Sequence, residues 1–216
     1  DAIPTRAAAT LGLPVIRHTL VLEGGSIDVN GTGTVLTTRQ CLLNKNRNPE
    51  LTQEQIEQNL QKFLGVSQVL WLDDGIEGDD TDGHVDDIAR FVESSVVVTV
   101  VEKDSSDPNH TPLQTNLTAL RGMRNEKGEK LTVVPIQMPH RVEGPFGCSP
   151  ASYANFYIAN GVVLVPVYSC PSDREAIAIL KDCFPKREMI SIECTPLVGG
   201  LGAIHCVTQQ QPSPSS

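Results

Sequence analysis

One order of elements, strand, strand, helix, strand, recurs three times in this chain and constrains its fold more than any other feature. "HTLVLEGGSIDVNGTGTVLTT" (18–38) reads as two short strands joined by a glycine-rich turn, and "QVLWL" (68–72) as a third strand. Between them lies the helix "LTQEQIEQNLQKFLG": Thr52 can cap it with Gln55 reaching back, Ile56, Leu60, Phe63 and Leu64 form an apolar stripe, and Gly65 ends it. The order returns with "DDIARFVESSVVVTVV", a helix bearing Leu113, Leu117 and Leu120, and the strand "LTVVPI". It returns again with "NFYIANGVVLVPVY", where Asn160-Gly161 signals a type I′ hairpin, a helix capped by Ser172 and Glu175, and the strand "MISIEC". "GAIHCVTQQ" then starts a fourth unit as a closing strand.

Repeated units need neighbours to bury their faces, so the expected architecture is α/β, with ββαβ blades arranged around an axis. The units span about 18–72, 84–136 and 152–193, with a closing strand at about 202–210, all within one domain over 1–216. A single open α+β sheet with chance similarity between its segments is the alternative.

Bulk properties narrow the function. Of the 216 residues 39% are hydrophobic and 20% charged, an ordinary globular balance. Asp and Glu outnumber Lys and Arg by 26 to 17, a net charge of −9 that argues against nucleic acid and favours cationic ligands. No apolar run reaches the roughly 20 residues that cross a bilayer, and the first residues lack the basic and apolar signature of a signal peptide. Six cysteines without a C-x-x-C pair argue against a zinc knuckle or a small disulfide framework and favour a reducing, cytoplasmic setting.

Chemically loaded residues recur at one place in the unit, on or beside its first strand. The first unit offers Glu23 in "LEGG", the second His84 and Asp86 in "DDTDGHVDD", and the closing strand Cys206. Around an axis these positions converge, and the flanking glycines leave room for a flat substrate. His84 and Asp86 share a face if extended, whereas His205 and Cys206, adjacent in a strand, face opposite sides, which leaves His84 as the base for the thiol. Each residue also has a plainer reading: Cys206 as a buried hydrophobe, the acidic run 73–87 as a solvated loop or calcium site without EF-hand spacing, and the glycines at 24–33 as a phosphate loop lacking its G-K-[ST].

"LEGGSIDVNGTGTVLTTRQCLLNKNRNP", "DDTDGHVDDIARF", "SYANFYIANG" and "GAIHCVTQQQP" together resemble the agmatine deiminase family, which includes the bacterial peptidylarginine deiminases. The four stretches keep the family's order over positions 18–212. The resemblance implies a pseudo-fivefold αβ-propeller of the pentein type, here about three units and a closing strand. It implies Cys206 as nucleophile, His84 as acid and base, Glu23 and Asp86 as the carboxylates holding a guanidinium, and Gly202 at the substrate.

No metal and no organic cofactor is implied. The activity would be hydrolysis of agmatine to N-carbamoylputrescine and ammonia, a step towards putrescine, through an S-alkylthiouronium on Cys206. Peptidylarginine or arginine deimination, a thiol hydrolase triad of Cys206, His84 and Asp86, and an inactive interaction module are the alternatives. The family's Trp-x-Arg-Asp-x-Gly-Pro and Trp-Gly segments do not occur, Trp71 being the only tryptophan, and Leu201 stands where members usually place Gly. The chain is therefore expected to lack one carboxylate wall, to expose edges at 18–22 and 204–208, to associate with a second copy or with the absent portion, and to be weakly active alone.

Overall fold

The computed structural model describes residues 2–211, so the ends of the expected 1–216 domain, and Pro212 of the last motif, lie outside the described residues. A first helix, α1 (Ile3–Leu11), carries proline in its opening turn, closes on left-handed Gly12 and buries none of its residues. The first unit then pairs β1 (Ile27–Val29) antiparallel with β2 (Thr34–Thr38). A short helix, α2 (Arg39–Leu42), and the longer α3 (Gln53–Leu64) carry the chain over to β3 (Gln68–Leu72), which lies parallel to β2. Parallel pairing requires such a crossover. The Thr52–Gln55 capping box forms as read, and Gly65 ends α3 at φ 69°.

The second unit repeats this with β4 (Ala89–Glu93), β5 (Val96–Val101), α4 (His110–Gly122) and β6 (Thr132–Gln137). A hairpin of β7 (Glu143–Gly144) and β8 (Gly147–Cys148) intervenes. The third unit has β9 (Tyr157–Ile158), β10 (Val162–Val167), α5 (Ser172–Cys183) and β11 (Glu188–Glu193), followed by the short α6 (Thr195–Val198). Each unit forms its own three-stranded mixed sheet.

Helices alternate with sheets because every central strand buries both faces. Val35 of β2 packs with Ile56 and Leu60 of α3, while Leu36, with Leu70 and Leu72 of β3, packs against Leu113 and Leu120 of the next unit's α4. Val98 and Ile136 of the second sheet likewise meet Ala176 and Leu180 of α5. This is why β5 and β10 read as near-continuous Val/Leu runs rather than as half-polar alternation, while β2 buries its three threonines as well.

Four local expectations are overturned. The closing strand 202–210 does not form: His205–Val207 is a 3₁₀ turn, because the side-chain oxygen of Asn155 captures the backbone N–H of His205 at 2.8 Å and of Cys206 at 3.4 Å. The stretch 18–22 is not a strand edge either. Asn48 closes it, donating to Val21 O and accepting from Val21 N, both at 2.9 Å, and Leu20 and Leu22 pack on the first core. Ser172 does not cap α5: it is the first helical residue, its hydroxyl lies 2.9 Å from Tyr153 Oη, and Asp173 instead accepts from the backbone N–H of Tyr168 and Cys170. The hairpin at Asn160-Gly161 is present but not type I′, since neither residue has positive φ; Glu188 and Arg187 bond the carbonyls of Gly161 and Ala159 and hold the turn from outside.

One buried ion pair reaches all three units. Asp28 of β1 accepts from Arg90 Nε of β4 at 2.5 Å and from Phe91 N at 2.6 Å, and Arg90 also donates to Phe156 O at 3.0 Å with its guanidinium over the Phe156 ring. Removing one partner strands the other charge in the interior, at a cost of about 3–5 kcal/mol. Asp28→Asn should therefore lower unfolding free energy by that order in urea titration, and Asp28→Asn combined with Arg90→Met should recover part of it. An unchanged midpoint for the single variant would show that the units do not depend on this pair.

Candidate active site

Each residue expected at the site lies in or beside a short 3₁₀ turn. Glu23 immediately precedes the turn Gly24–Ser26, His84 precedes Val85–Asp87, which contains Asp86, and Cys206 is in His205–Val207. The first two turns interlock through a missing side chain: a β-carbon on Gly25 would lie 2.5 Å from His84 Nδ1 and 2.9 Å from Asp86 Oδ2. Gly202 similarly clears the path for Cys206, whose Cβ would come within 2.8 Å of any β-carbon there. The glycine space is thus taken up by the site's own side chains rather than left open. His84 and Asp86 meet in this way although the segment is a turn and not the extended strand that would place them on one face.

The loop that delivers His84 is folded by its acidic residues. Asp79 accepts from the backbone N–H of Thr81, Gly83 and His84 at 2.8–2.9 Å, and Thr38 donates to Gly83 O at 2.6 Å. Asp82, at φ 60°, pairs with Arg47 and Asn46. Asp79 and Asp82 thus act as internal scaffolding of the loop, while Asp74 and Asp80 of the same run stay exposed.

At the third turn, Leu201 adopts φ 68°, the left-handed region that favours glycine, which accounts for the residue type expected there. His205 and Cys206 do not face opposite sides as a strand would have it. His205 Nδ1 lies 2.6 Å from Asp86 Oδ2, and Cys206 Sγ lies 3.9 Å from the same oxygen. Gln210 sits 3.2 Å from His205 Nε2, and with its amide donating there the imidazole proton belongs on Nδ1, directed at Asp86.

Three contributors had no signal in the sequence reading. Asn155, fully buried, donates to Cys206 Sγ at 3.2 Å and to Asp87 Oδ1 at 2.9 Å while holding the turn's amides. Asp87 itself is driven towards its neutral form by burial first and then by the adjoining Asp86. Arg47 donates from Nε to Glu23 Oε1 at 2.7 Å and from Nη1 to Asp82 at 2.8 Å, so Glu23 already carries a guanidinium on one oxygen. Asn155 is flanked by the buried Tyr153, Ala154 and Phe156 and Arg47 lies in the polar segment "NRNP", so neither is set apart by its local sequence.

Cys206 is exposed as a residue, yet its sulfur faces Asp86 and Asn155. Burial, then the carboxylates of Asp87 and Asp86, push its thiol up to about 12. The ligand-capable atoms of Glu23, Cys41 and His84 lie within 4.8 Å of one another, as do those of Asp86, Asp87 and Cys206. Six buried side-chain polar atoms find no partner among the described residues, and three of them, Glu23 Oε2, His84 Nε2 and Asp86 Oδ1, fall here. Buried polar atoms are ordinarily satisfied, so their concentration marks a place prepared for a hydrogen-bonding ligand. The surface hollow lined by Arg39, Asp73, Asp74, Thr111, Pro112 and Thr115 lies elsewhere and carries none of these atoms.

Comparison with known proteins bears on the same residues. A family model described as Porphyromonas-type peptidyl-arginine deiminase matches residues 1–212. The chain is 43% identical over 212 residues to an agmatine deiminase of Pseudomonas putida and 41% identical over 212 residues to one of Pseudomonas aeruginosa, covering 90% of this chain and 58% of each relative. An agmatine deiminase structure from Enterococcus faecalis superposes with a TM-score of 0.93 at 36% identity, over 98% of this chain and 63% of that one. The chain thus spans somewhat over half the length of the curated relatives it matches.

The thiol's environment gives a measurable pH dependence. Alkylation of Cys206 by iodoacetamide, followed by peptide mass spectrometry, should rise about tenfold per pH unit up to roughly pH 9 without levelling, because only the thiolate reacts. Asn155→Ala should slow it by a further factor of about ten at each pH, the worth of one hydrogen bond to the charged form. A plateau below about pH 8 would contradict the upward shift.

Proposed function

The chain belongs to the Porphyromonas-type peptidyl-arginine deiminase family, and from that premise we infer that it carries the thiol half-site of an enzyme deiminating a small guanidine, agmatine. The observation that carries this reading is the set of three partnerless polar atoms on the interlocked turns of Glu23, His84 and Asp86, with the Cys206 sulfur 3.9 Å from the other oxygen of Asp86. Glu23 Oε2 and Asp86 Oδ1 are acceptors awaiting donors, and a planar guanidinium is a cation made of donors.

The chemistry follows from these groups. A guanidinium carbon is resonance-stabilised and resists water until a strong nucleophile is held in line with it. Glu23 and Asp86 accept N–H bonds from the substrate and fix its plane. The positive charge beside Cys206 offsets Asp86 and Asp87 and favours loss of the thiol proton, with His84 as the acceptor. Sulfur attack forms the S–C bond and a tetrahedral adduct. Protonated His84 returns its proton to the departing nitrogen, the C–N bond breaks, and ammonia leaves with an S-alkylthiouronium behind. His84 then deprotonates a water, whose oxygen bonds to the same carbon. Collapse breaks the S–C bond, restores the thiolate beside protonated His84 and releases N-carbamoylputrescine as the hydroxyl proton passes to solvent.

Agmatine is favoured over arginine because its far end is an ammonium, which suits a molecule of net charge −9, whereas a free α-carboxylate needs a cation. The two Pseudomonas relatives are named for the same substrate. In the finer architecture we propose, the three units are three blades of a pseudo-fivefold αβ-propeller, with the turn at Cys206 closing on the first unit beside Gly24 and Gln209.

In any preparation that releases ammonia from agmatine, Cys206→Ser should lower turnover at least ~10³-fold, since a hydroxyl is a far poorer nucleophile at neutral pH. Cys148→Ser and Cys183→Ser should leave it unchanged, and kcat/KM should be higher for agmatine than for arginine. Near-normal turnover in Cys206→Ser sinks the nucleophile. Hydrolysis of p-nitrophenyl acetate with no ammonia from any guanidine would favour a thiol hydrolase instead.

A further inference from the structure

We propose that Glu23, Cys41 and His84 form a binding site for a thiophilic divalent cation of the zinc class, and that an ion seated there shuts the active site. Cys41 has no part in the chemistry above, yet its sulfur lies within 4.8 Å of a carboxylate oxygen of Glu23 and a ring nitrogen of His84. Thiolate, imidazole and carboxylate are the donors that zinc takes, and three protein ligands with one open position make a common site.

Two partnerless buried atoms among the described residues point to a ligand there. His84 is more than nine-tenths buried, and its Nε2, 4.0 Å from Glu23 Oε1, has no partner; neither has Glu23 Oε2. The donors are also held in place. Thr38 accepts the Cys41 backbone N–H at 3.2 Å and donates to Gly83 O at 2.6 Å, so one side chain ties the turn of Cys41 to the loop delivering His84. The second trio, Asp86, Asp87 and Cys206, is less available, because His205 engages Asp86 Oδ2 and Asn155 engages Asp87 Oδ1.

Charge balances as well. Arg47 on Glu23 is matched by Asp82, which leaves the Glu23 carboxylate and a Cys41 thiolate to neutralise the dication. Cys41 is also part of the first hydrophobic core, with Leu42, Ile56 and Leu60, so its backing is rigid and apolar. Binding forms one S–metal bond and expels the thiol proton to solvent, with no change of oxidation state. Glu23 is the most open of the three, its side chain 37% exposed, and provides the entry. An ion held there occupies Glu23 and His84 together and excludes a cationic substrate. That consequence rests on the deiminase reading; the metal site itself does not.

Cobalt(II) tests the site without any turnover, because a cobalt–thiolate bond absorbs in the near ultraviolet. The absorption should appear on titrating the wild-type chain and Cys206→Ser, and disappear in Cys41→Ser and Cys41→Ala, with affinity for zinc lowered about 100-fold or more in a competition assay against a chromophoric chelator. Circular dichroism on the same samples, with Cys41→Ala preserving the small apolar volume, separates loss of a ligand from loss of fold. Absorption kept in Cys41→Ser but lost in Cys206→Ser would move the ion to the other trio and overturn the proposal, as would its absence from the wild type. In ammonia release from agmatine, zinc should inhibit the wild type and spare Cys41→Ser, whose own turnover stays normal. Where no guanidine is turned over, the spectroscopic result still decides.

Discussion

The pair between Asp28 and Arg90 is the interaction on which the remaining architecture depends. Each ββαβ unit buries a helix on its own sheet and packs its sheet against the next unit's helix, as Leu36 does on Leu113 and Leu120, but such apolar contacts are non-directional. Asp28 and Arg90 add a directional contact, since a charge taken out of water must find its partner or lose several kcal/mol. Asp28 sits in β1 of the first unit, Arg90 in β4 of the second, and the same guanidinium reaches Phe156 in the third. Two residues after Phe91 the ladder of β4 and β5 shifts register, next to the point where Asp28 takes the Phe91 amide. The turns carrying Glu23 and Asp86 lie directly ahead of β1 and β4, so fixing these strands also fixes the active-site turns.

That arrangement concentrates negative charge. Asp86, Asp87 and the Cys206 thiol share a small buried region, and the strain appears as a carboxyl driven neutral at Asp87 and a thiol pushed up to about 12. A free chain with these values is a poor nucleophile. The same repulsion that disables the thiol is relieved by a cationic ligand, so the site couples reactivity to occupancy. Asn155 moderates the repulsion by donating to both Asp87 and the sulfur, and its complete burial keeps water from competing for those bonds.

Much of this was legible in the sequence, for identifiable reasons. The β5 and β10 strands are apolar runs too short for helices, and α3 announces itself through a capping box and a terminal glycine, so local pattern and tertiary outcome agree. The closing strand failed because its conformation is set by Asn155, some fifty residues away, and no local propensity encodes that. Ser172 failed for a similar reason: Tyr153 claims its hydroxyl from another segment. Within the site, Glu23, His84, Asp86 and Cys206 were visible as reactive types at recurring positions, whereas Arg47, Asn155 and His205 act through partners far away in sequence.

Arg47 illustrates how one side chain can prepare another. A lone glutamate facing a guanidinium has two equivalent oxygens and a freely turning carboxylate. Here Arg47 takes Oε1, is itself fixed by Asp82 and Thr81 O at 2.8 and 2.7 Å, and is nearly inaccessible to solvent. Glu23 is left with one buried oxygen, Oε2, pointing where no protein donor reaches. The internal guanidinium thereby converts a flexible carboxylate into a single directed acceptor, and it does so with the functional group that the site is proposed to bind. Because Arg47 remains charged at any working pH, this directionality does not vary with pH.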